Sequence, residues 1–325
     1  MLLYLSYERH KKQWNVRILF FSLFCLIAWA LLRAKMEAGV QAATMAPIAH
    51  VELPVATSGE LQLLTYNIAG LPELISSAKT SRAASIASIG KKVNHFDIVH
   101  VQEDFNYNKF LYQDNAHPYR TVNMGSIPFG DGLSTLSKYP IVHFERVAWA
   151  DCNGADCLTP KGFSFSRVQL AKDVFVDMYN LHATAQNDKN ACKARQKNLI
   201  QLLNFIREHS PCNPLLIMGD FNAHYAHGRD NVSDFKEQIG ALDAWVVLMN
   251  NADYPKVDPS FQAKPILSLT DRCESIDKIL FRNSDHLIFT PKSYKVEKTL
   301  FSSQQGEDLS DHCAISMAMD WTWVH

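Results

Sequence analysis

Short apolar runs, each ended by polar or turn-forming residues, recur along the chain after residue 60 and predict β-strands. Such runs are "LQLLTYNI" (61–68), "DIVHVQE" (97–103) and "LLIMGD" (215–220). The stretches "GFSFSRVQL" (162–170) and "VFVDMYNLHAT" (174–184) are separated only by "AKD", which predicts a hairpin. Strands are therefore expected to form the frame of the fold.

Two other segments repeat apolar residues at helical spacing. Thr80 or Ser81 can cap a first helix, in which Ile86, Ile89 and Val93 fall on one face. A second helix is predicted over residues 190–209 and ends before two prolines. Its apolar stripe consists of Leu199, Leu202, Leu203 and Ile206.

The remaining pattern is less regular. A helical stretch is predicted near 106–113, strand character resumes over 132–142, and a long irregular stretch from 221 to 270 includes a predicted helix near 232–250. Two further strands are predicted at "SIDKILF" (275–281) and "CAISMAMDW" (313–321). Strands outnumber helices, and hairpins are mixed with crossovers, which predicts one α/β domain with packed sheets. The glycine-rich loops that bind dinucleotides and nucleoside triphosphates are absent from the sequence.

The N-terminus has a different pattern from the rest. The run "ILFFSLFCLIAWALL" (18–32) is entirely apolar and follows Arg9, Lys11, Lys12 and Arg17. This arrangement predicts a signal peptide or a signal anchor within residues 1–43. Residues 44–60 have the composition of a linker, and residues 61–325 are expected to form the catalytic domain, exported from the cell in either case.

Composition and charge narrow the possible partners. The chain has 325 residues, is 47% hydrophobic and carries a formal net charge of −1. It therefore lacks the basic excess of tight, non-specific nucleic-acid binders, although a local basic patch can exist within a neutral total.

Cysteine usage agrees with export. Six cysteines remain once Cys25 in the apolar run is set aside. The sequence "DCNGADC" places Cys152 and Cys157 around a glycine-containing turn, which makes this pair the favoured disulfide. The other four are interpreted as buried thiols.

Polar residues stand at the ends of the predicted strands. Each has a structural explanation on its own, such as a turn residue, a solvated acidic edge or an ion pair. Burying several such groups without partners would cost roughly 1–3 kcal/mol each, so their number indicates a shared cluster. The residues are Asn67, Glu103, His182, Asp220, Asn222, Asp277, Asp311 and His312.

The segments that carry these residues resemble those of the endonuclease/exonuclease/phosphatase family, in the family's order. They are "LTYNIAG", "DIVHVQE", "YNLHAT", "IMGDFNA", "SIDKILF" and "LSDHCAI", and they span the body of the chain. The resemblance implies a four-layer α/β sandwich with two central mixed β-sheets flanked by helices. It also implies cleavage of phosphoester bonds with Mg²⁺ or another divalent ion such as Mn²⁺.

The same resemblance implies a role for each polar residue. Glu103 is the main metal ligand, with Asn67 nearby, and Asp311 supports the metal or the second histidine. His312 is the base that takes a proton from the attacking water, and Asp277 orients its ring. Asp220 and Asn222 contact the water and the phosphoryl oxygens. His182 stabilises the transition state or assists the leaving group.

Two basic residues outside the motifs are further candidates. Lys161, before the strand that starts at residue 162, and Arg229, in the loop after residue 222, can contact a substrate phosphate or face solvent. The export signal and the neutral charge favour a sphingomyelinase-like phosphodiesterase that acts on a phospholipid head group at a membrane. A phosphoinositide phosphatase, a secreted nuclease and a catalytically inactive binding module on the same fold remain alternatives.

Overall fold

A computed structural model of the chain describes residues 52–121 and 130–324. The predicted signal or anchor region, with its apolar run at 18–32, lies outside these residues, as does the first part of the linker. Within the two described ranges, none of the helices has the length and apolar character needed to cross a bilayer.

The described residues form twelve strands and five α-helices. The strands are β1 (Ser58–Asn67), β2 (Ile98–Gln102), β3 (Tyr119–Arg120), β4 (Ser134–Ser137), β5 (Ile141–Ala148), β6 (Gly162–Ala171), β7 (Val174–His182), β8 (Leu215–Asp220), β9 (Leu242–Asp243), β10 (Asp277–Arg282), β11 (Leu287–Val296) and β12 (Ile315–Trp323). The helices are α1 (Arg82–Lys92), α2 (Asn108–Gln113), α3 (Lys189–His209), α4 (Val232–Gln238) and α5 (Ala244–Met249).

The strands build two six-stranded mixed sheets, as the fold expectation required. The first sheet has the order β11-β12-β1-β2-β4-β3 and the second β5-β6-β7-β8-β10-β9. Within each sheet one central pair is parallel, β1 with β2 and β7 with β8, and the neighbouring pairs are antiparallel. Because strands of a parallel pair end at the same edge, each sheet brings two strand ends together there.

The alternation along β1 explains how the layers form. Leu61 and Leu63 point into the core between the sheets, whereas Leu64, Tyr66 and Ile68 pack with α1 on the other face. Both faces of the strand are buried, which is why its sequence is almost continuously apolar. The corresponding outer layer on the second sheet is α3, whose predicted apolar stripe lies in the core. Helix, sheet, sheet and helix give four layers.

Three sequence expectations needed correction. The strand character over 132–142 belongs to two strands in different sheets, β4 and β5, separated at Pro140, which cannot donate to a ladder. The single helix expected near 232–250 is two helices, broken at Gly240, whose φ of 68° ends α4. Strand β11 was missed because Pro291 interrupts its pattern, and the ladder shifts register between Pro291 and Ser293.

Polar side chains join the two sheets directly. The Nδ1–H of His100 on β2 donates to the carbonyl oxygen of Met218 on β8 at 3.0 Å. The Nε2 of Gln102 donates to Oδ1 of Asn180 on β7 at 2.7 Å. Such buried hydrogen bonds fix the packing of one sheet on the other, because a shift between the sheets would leave buried donors and acceptors without partners.

We expect His100 to make the protein less stable in acid. Burial lowers the pKa of His100 from its ordinary 6.5 to about 4, so the folded protein keeps it neutral. Between these values the unfolded chain binds a proton that the folded chain does not, and the free energy of unfolding falls as the pH falls. The loss is on the order of 3 kcal/mol by pH 4. Denaturant titrations at a series of pH values measure it. His100→Asn retains a hydrogen-bond donor without the titration, so an equal slope for variant and parent between pH 6.5 and 4 would contradict the assignment.

Candidate active site

The polar residues predicted at strand ends meet at one edge of the two sheets. Asn67 ends β1, and Glu103 follows the parallel strand β2. His182 and Asp220 end the parallel strands β7 and β8 and are register partners. Asp277 begins β10, which runs antiparallel to β8, so it also lies opposite Asp220.

His312 and Asp311 reach the same edge from the loop before β12. Strand β12 starts at Ile315 and pairs antiparallel with β1, so its first residue lies opposite Thr65 near the end of β1. These two residues were predicted to open the strand, but they lie three to four residues before it.

Asn67 connects the parts of the cluster. Its Nδ2 lies 3.2 Å from Oε1 of Glu103, 3.3 Å from Oδ2 of Asp220 and 3.5 Å from Nε2 of His312. Its Oδ1 accepts a hydrogen bond from the backbone N–H of Ala69 at 3.1 Å, which fixes the orientation of the amide. The two amide protons are therefore directed at the two carboxylates.

His312 lies between two carboxylates. Its Nδ1 is 2.9 Å from Oδ2 of Asp277, and its Nε2 is 3.8 Å from Oδ2 of Asp220. Burial alone would lower the pKa of His312, but Asp277 above all, and then Asp220, raise it to about 10. The ring is thus held in one orientation, and 11% of the side chain remains exposed to solvent.

Asp220 is destabilised as an anion by its surroundings. Burial and then the like charge of Asp277 raise the pKa of Asp220 to about 7, although His312 and Lys161 act in the opposite direction. The backbone N–H of Asn222 donates to its Oδ1 at 2.9 Å. The side chain of Asn222 donates to the carbonyl of Ala183 at 3.1 Å, which ties this loop to the end of β7.

His182 is neutral in this setting. Its Nε2 lies 3.4 Å from Oδ2 of Asp220. Burial, followed by the positive charges of Lys161 and His312, lowers the pKa of His182 well below its ordinary value. Its buried Nδ1 has no hydrogen-bond partner among the described residues. A buried polar atom without a protein partner is unusual, and it leaves His182 with hydrogen-bonding capacity that a ligand can use.

The two basic candidates have different positions. Lys161 forms an ion pair with Asp156, Nζ to Oδ1 at 2.9 Å, and its charge acts on Glu103, His182 and Asp220. Arg229 is exposed, and its charge acts on Cys192 in α3. Only Lys161 of these two is positioned to act on the cluster.

A disulfide lies next to Lys161. The Sγ atoms of Cys152 and Cys157 are 2.04 Å apart and close a turn over Gly154–Leu158. Asp156 within this turn accepts a hydrogen bond from the backbone N–H of Ala185 at 2.6 Å, three residues after His182. Cys192 and Cys313 are buried thiols as expected, whereas Cys212 is exposed and Cys273 partly so.

Three of the seven described non-glycine residues with a positive φ belong to the cluster or adjoin it. Ala69, Glu103 and Asn222 have φ values of 50°, 59° and 50°, in the left-handed region that residues with a side chain rarely adopt. Gly70 lies against the strained segment at Glu103; a Cβ at this position would be 2.0 Å from the carbonyl oxygen of Glu103. Such strain persists only where the surrounding structure enforces it, and it is typical of functional sites.

Glu103 and Asp311 have the chemistry of a divalent-cation site. Burial raises the pKa of Glu103, and the charge of Asp311 raises it further, against the opposing effect of Lys161. Two carboxylates close enough to repel each other are stabilised by a hard cation that takes oxygen ligands, as Mg²⁺ does. The observed excess of negative charge therefore fits the metal that the motifs imply.

Two other groups have ligand atoms within 4.8 Å of one another: Asp220 with Asp277 and His312, and Cys192 with His227 and Asp230. In the first, His312 already pairs with Asp277 through Nδ1. In the second, the guanidinium of Arg195 donates to Asp230 at 2.6 Å and supplies the positive charge. Glu103 is thus the better candidate for the primary ligand.

Two residues that hold the cluster in place could not be predicted from the sequence pattern. Arg82 of α1 is fully buried and donates to the carbonyl oxygens of Ala69 at 2.9 Å and Leu309 at 3.0 Å, which joins the loop after β1 to the loop that carries His312. Ser310 donates from Oγ to the carbonyl of Asn67 at 2.7 Å. Neither residue interrupts an apolar run at the end of a predicted strand, so the criterion that identified the other polar residues did not identify these two.

Comparison with known proteins gives a consistent result. The model of the Endonuclease/Exonuclease/phosphatase family matches residues 64–312. Curated proteins named sphingomyelinase, from Mycobacterium bovis and Mycobacterium tuberculosis, are 35% identical over 262 residues, which cover 78% of this chain and 51% of each relative. The chain therefore spans about half the length of the curated relatives it matches.

Solved structures share the fold at low identity. Beta toxin from Staphylococcus aureus with bound magnesium ions has a TM-score of 0.57 at 15% identity, covering 80% of this chain and 99% of that one. Sphingomyelinase C from Streptomyces griseocarneus has a TM-score of 0.54 at 18% identity, with 80% and 99% covered. TDP2 from D. rerio, complexed with a single-strand DNA product, has a TM-score of 0.58 at 15% identity, with the same coverage. With a family model that matches most of its length, this chain belongs to the endonuclease/exonuclease/phosphatase family.

Proposed function

We propose that the protein is an exported phosphodiesterase that depends on a divalent metal ion and hydrolyses the head group of a phospholipid of the sphingomyelin type. The observation that carries this proposal is the Asp277–His312 pair, in which Nε2 of His312 faces Asp220 and Asn67 beside Glu103. The relatives named sphingomyelinase, at 35% identity, support the choice of substrate class.

The cation would be held by Glu103, with Asn67 and Asp311 next to it. When bound, it would offset the negative charge of the phosphodiester that otherwise repels a nucleophile. Its positive charge also opposes a proton on the nearby His312, whose pKa is raised by the surrounding carboxylates. His312 would thus be held as the neutral imidazole that a general base requires, once a cation were present.

His312 would take the proton of the attacking water at Nε2. Asp277 accepts from Nδ1–H at 2.9 Å and stabilises the imidazolium that forms. Neutral His182 offers a donor to a phosphoryl oxygen or to the leaving group, and Lys161 supplies positive charge at the same edge. Each of these groups belongs to a different strand end or adjoining loop, so the reaction depends on both sheets.

We expect Asp277→Asn to lower turnover by about tenfold to a hundredfold. The amide can still accept the hydrogen bond from His312, so the ring keeps its orientation. The variant loses the negative charge that stabilises the protonated ring during the reaction. Steady-state kinetics of variant and parent measure the effect. Asp285→Asn is a matched control because Asp285 is exposed in the turn after β10, at the far end of that strand. Turnover that is unchanged in Asp277→Asn would contradict the role of this carboxylate.

Phosphorus NMR tests the proposed reaction. The full chain is incubated with Mg²⁺ and mixed vesicles of sphingomyelin, phosphatidylcholine and phosphoinositides, with His312→Ala as the control. A growing phosphocholine signal, absent in the variant, is the expected result. Inorganic phosphate would instead indicate a phosphatase. No change in the lipid signals would overturn the proposal, and nicking of supercoiled plasmid that weakens with salt would then identify a nuclease.

Export is a further part of the proposal. The apolar run at 18–32 behind a basic segment supports a signal peptide or an anchor that associates with the membrane. The Cys152–Cys157 disulfide supports an oxidising compartment. Sequencing of the N-terminus of the exported protein distinguishes a signal peptide from an anchor, because only a signal peptide is removed. Retention of the whole chain in the cytosol would contradict export.

A further inference from the structure

The surface around the candidate active site carries exposed aliphatic side chains. Among the described residues, eight large hydrophobic side chains are exposed, and four of them lie on loops at the catalytic edge. These four are Leu74, Ile75, Leu158 and Val257, with exposed fractions of 94%, 58%, 74% and 63%. Single exposed apolar residues are ordinary on a soluble surface, but their concentration around one site is not.

The loop with Leu74 and Ile75 follows Asn67 directly. It turns at Pro72, whose carbonyl oxygen accepts from the backbone N–H of Ile75 at 2.9 Å. Ser76 donates back to the carbonyl of Ala69 at 3.4 Å, two residues after Asn67. The two apolar side chains are therefore held beside the end of β1.

The other two apolar residues are anchored to the second sheet. Leu158 ends the turn that the Cys152–Cys157 disulfide closes, and Asp156 in this turn is bonded to the backbone N–H of Ala185 just past β7. Next to Val257, the N–H of Asp258 donates to the carbonyl of Ala226 at 2.9 Å, in the loop after β8. Each of the three loops is thus hydrogen-bonded to the segment that follows a strand ending at the candidate active site.

Exposed charged residues of both signs flank the apolar ones. Glu73 and Lys79 are exposed on either side of Leu74 and Ile75, and Lys256 and Asp258 are exposed on either side of Val257. Aliphatic tips flanked by both charges match the boundary between acyl chains and zwitterionic head groups such as phosphocholine, which carry both charges themselves. A protein partner would instead be expected to use one contiguous face or groove, whereas these side chains project singly from three separate loops.

We propose that Leu74, Ile75, Leu158 and Val257 dock the catalytic edge onto a lipid bilayer. This inference rests on the proposed function, because a phospholipid head group is accessible only if the site faces the bilayer surface. The apolar side chains enter the interface around the site, and the strand ends then lie at the level of the lipid phosphates. The disulfide contributes by holding Leu158 in an exposed position.

Amide hydrogen exchange of the full chain tests the docking position by position. Exchange is compared with and without vesicles of sphingomyelin and phosphatidylcholine, in EDTA so that lipid is not consumed. We expect slower exchange in the peptides with Leu74 and Ile75, Leu158 and Val257. The peptide with Val324 should be unchanged, because β12 carries this residue to the opposite end of the first sheet. Protection of Val324 alone, or no protection at the three loops, would overturn the proposal.

A kinetic comparison provides an independent readout. Leu74→Glu combined with Leu158→Glu should lower the ratio of turnover on vesicles to turnover on a water-soluble phosphocholine ester by about tenfold or more. Val324→Glu changes an aliphatic residue that is 44% exposed and lies away from the site, and it should leave this ratio unchanged. An unchanged ratio in the double variant refutes docking while the proposed function stands. A parent protein that hydrolyses neither substrate contradicts the proposed function, and the exchange experiment still decides whether the loops bind lipid.

Discussion

Replacement of His312 with alanine is expected to reduce turnover by about 10⁴-fold, close to the upper limit for removing a general base. The side chain is the only imidazole of the cluster with a carboxylate bound at Nδ1 and with Nε2 directed at the polar centre, among the residues that the structure describes. Without it, the cluster loses the imidazole Nε2 that faces Asp220 and Asn67 and that takes the proton from water in the proposed reaction. Initial rates on lipid vesicles at saturating Mg²⁺ measure the loss.

The controls for this variant separate chemistry from folding. His143→Ala removes a half-exposed histidine on β5, and we expect it to retain the parent rate. Because His312 is raised to a pKa of about 10 by two carboxylates, its removal leaves Asp277 and Asp220 to repel each other. His312→Gln is therefore compared as well, and addition of imidazole should restore part of the activity of His312→Ala. Full activity of His312→Ala would show that the base is a different residue.

Glu103→Gln is expected to weaken Mg²⁺ binding by at least about a hundredfold, since a loss of this size already follows from disturbing residues that only support a metal ligand. The side chain keeps its size and can keep the hydrogen bond from Asn67, but it loses the charge that attracts a hard cation. Calorimetry of Mg²⁺ binding and the Mg²⁺ dependence of turnover both measure the effect. Glu60→Gln is the matched control, because Glu60 is exposed at the start of β1, far from the strand end that carries Asn67.

The stability of Glu103→Gln provides a second readout. In the protein without metal, burial and Asp311 raise the pKa of Glu103, so its negative charge opposes folding at neutral pH. We therefore expect the thermal midpoint of the variant in EDTA to equal or exceed that of the parent, despite lower activity. Loss of both stability and activity would indicate a structural role. If turnover of the variant depended on the Mg²⁺ concentration as in the parent, we would infer that Asp220, Asp277 and His312 bind the metal instead.

The candidate site residues at the strand ends were predictable because they are polar residues that interrupt otherwise apolar runs. Asn67, Asp220 and His312 each break a run in which a polar residue is costly unless it has a use. These residues lie close together because each sheet contains a parallel pair of strands whose ends share one edge. Their proximity could be expected only from the resemblance to the family, because the pattern of apolar and polar residues does not give the order of strands in a sheet. The division of 132–142 has one local signal, Pro140, and a proline does not reveal that the strands on its two sides join different sheets.

Second-layer contacts were not predictable for a different reason. Arg82 lies on α1 among residues that read as a solvated helix start, yet it is buried and bonded to two distant loops. Asp156 lies within a turn whose sequence indicates only a disulfide, yet it holds Lys161. These contacts depend on how loops pack after the sheets have formed, and a residue-by-residue pattern contains no information about that.

The position of β12 has a consequence for how the protein acquires activity. This strand lies between β11 and β1 inside the first sheet, and it pairs Met319 with Leu61 across almost the whole length of the chain. Contacts between residues so distant in sequence form slowly, since a long loop must close before they stabilise anything. The loop before β12 also carries His312. In refolding experiments, we therefore expect recovery of the proposed activity to lag behind recovery of the helical signal, because His312 reaches the site only once β12 has paired with β1.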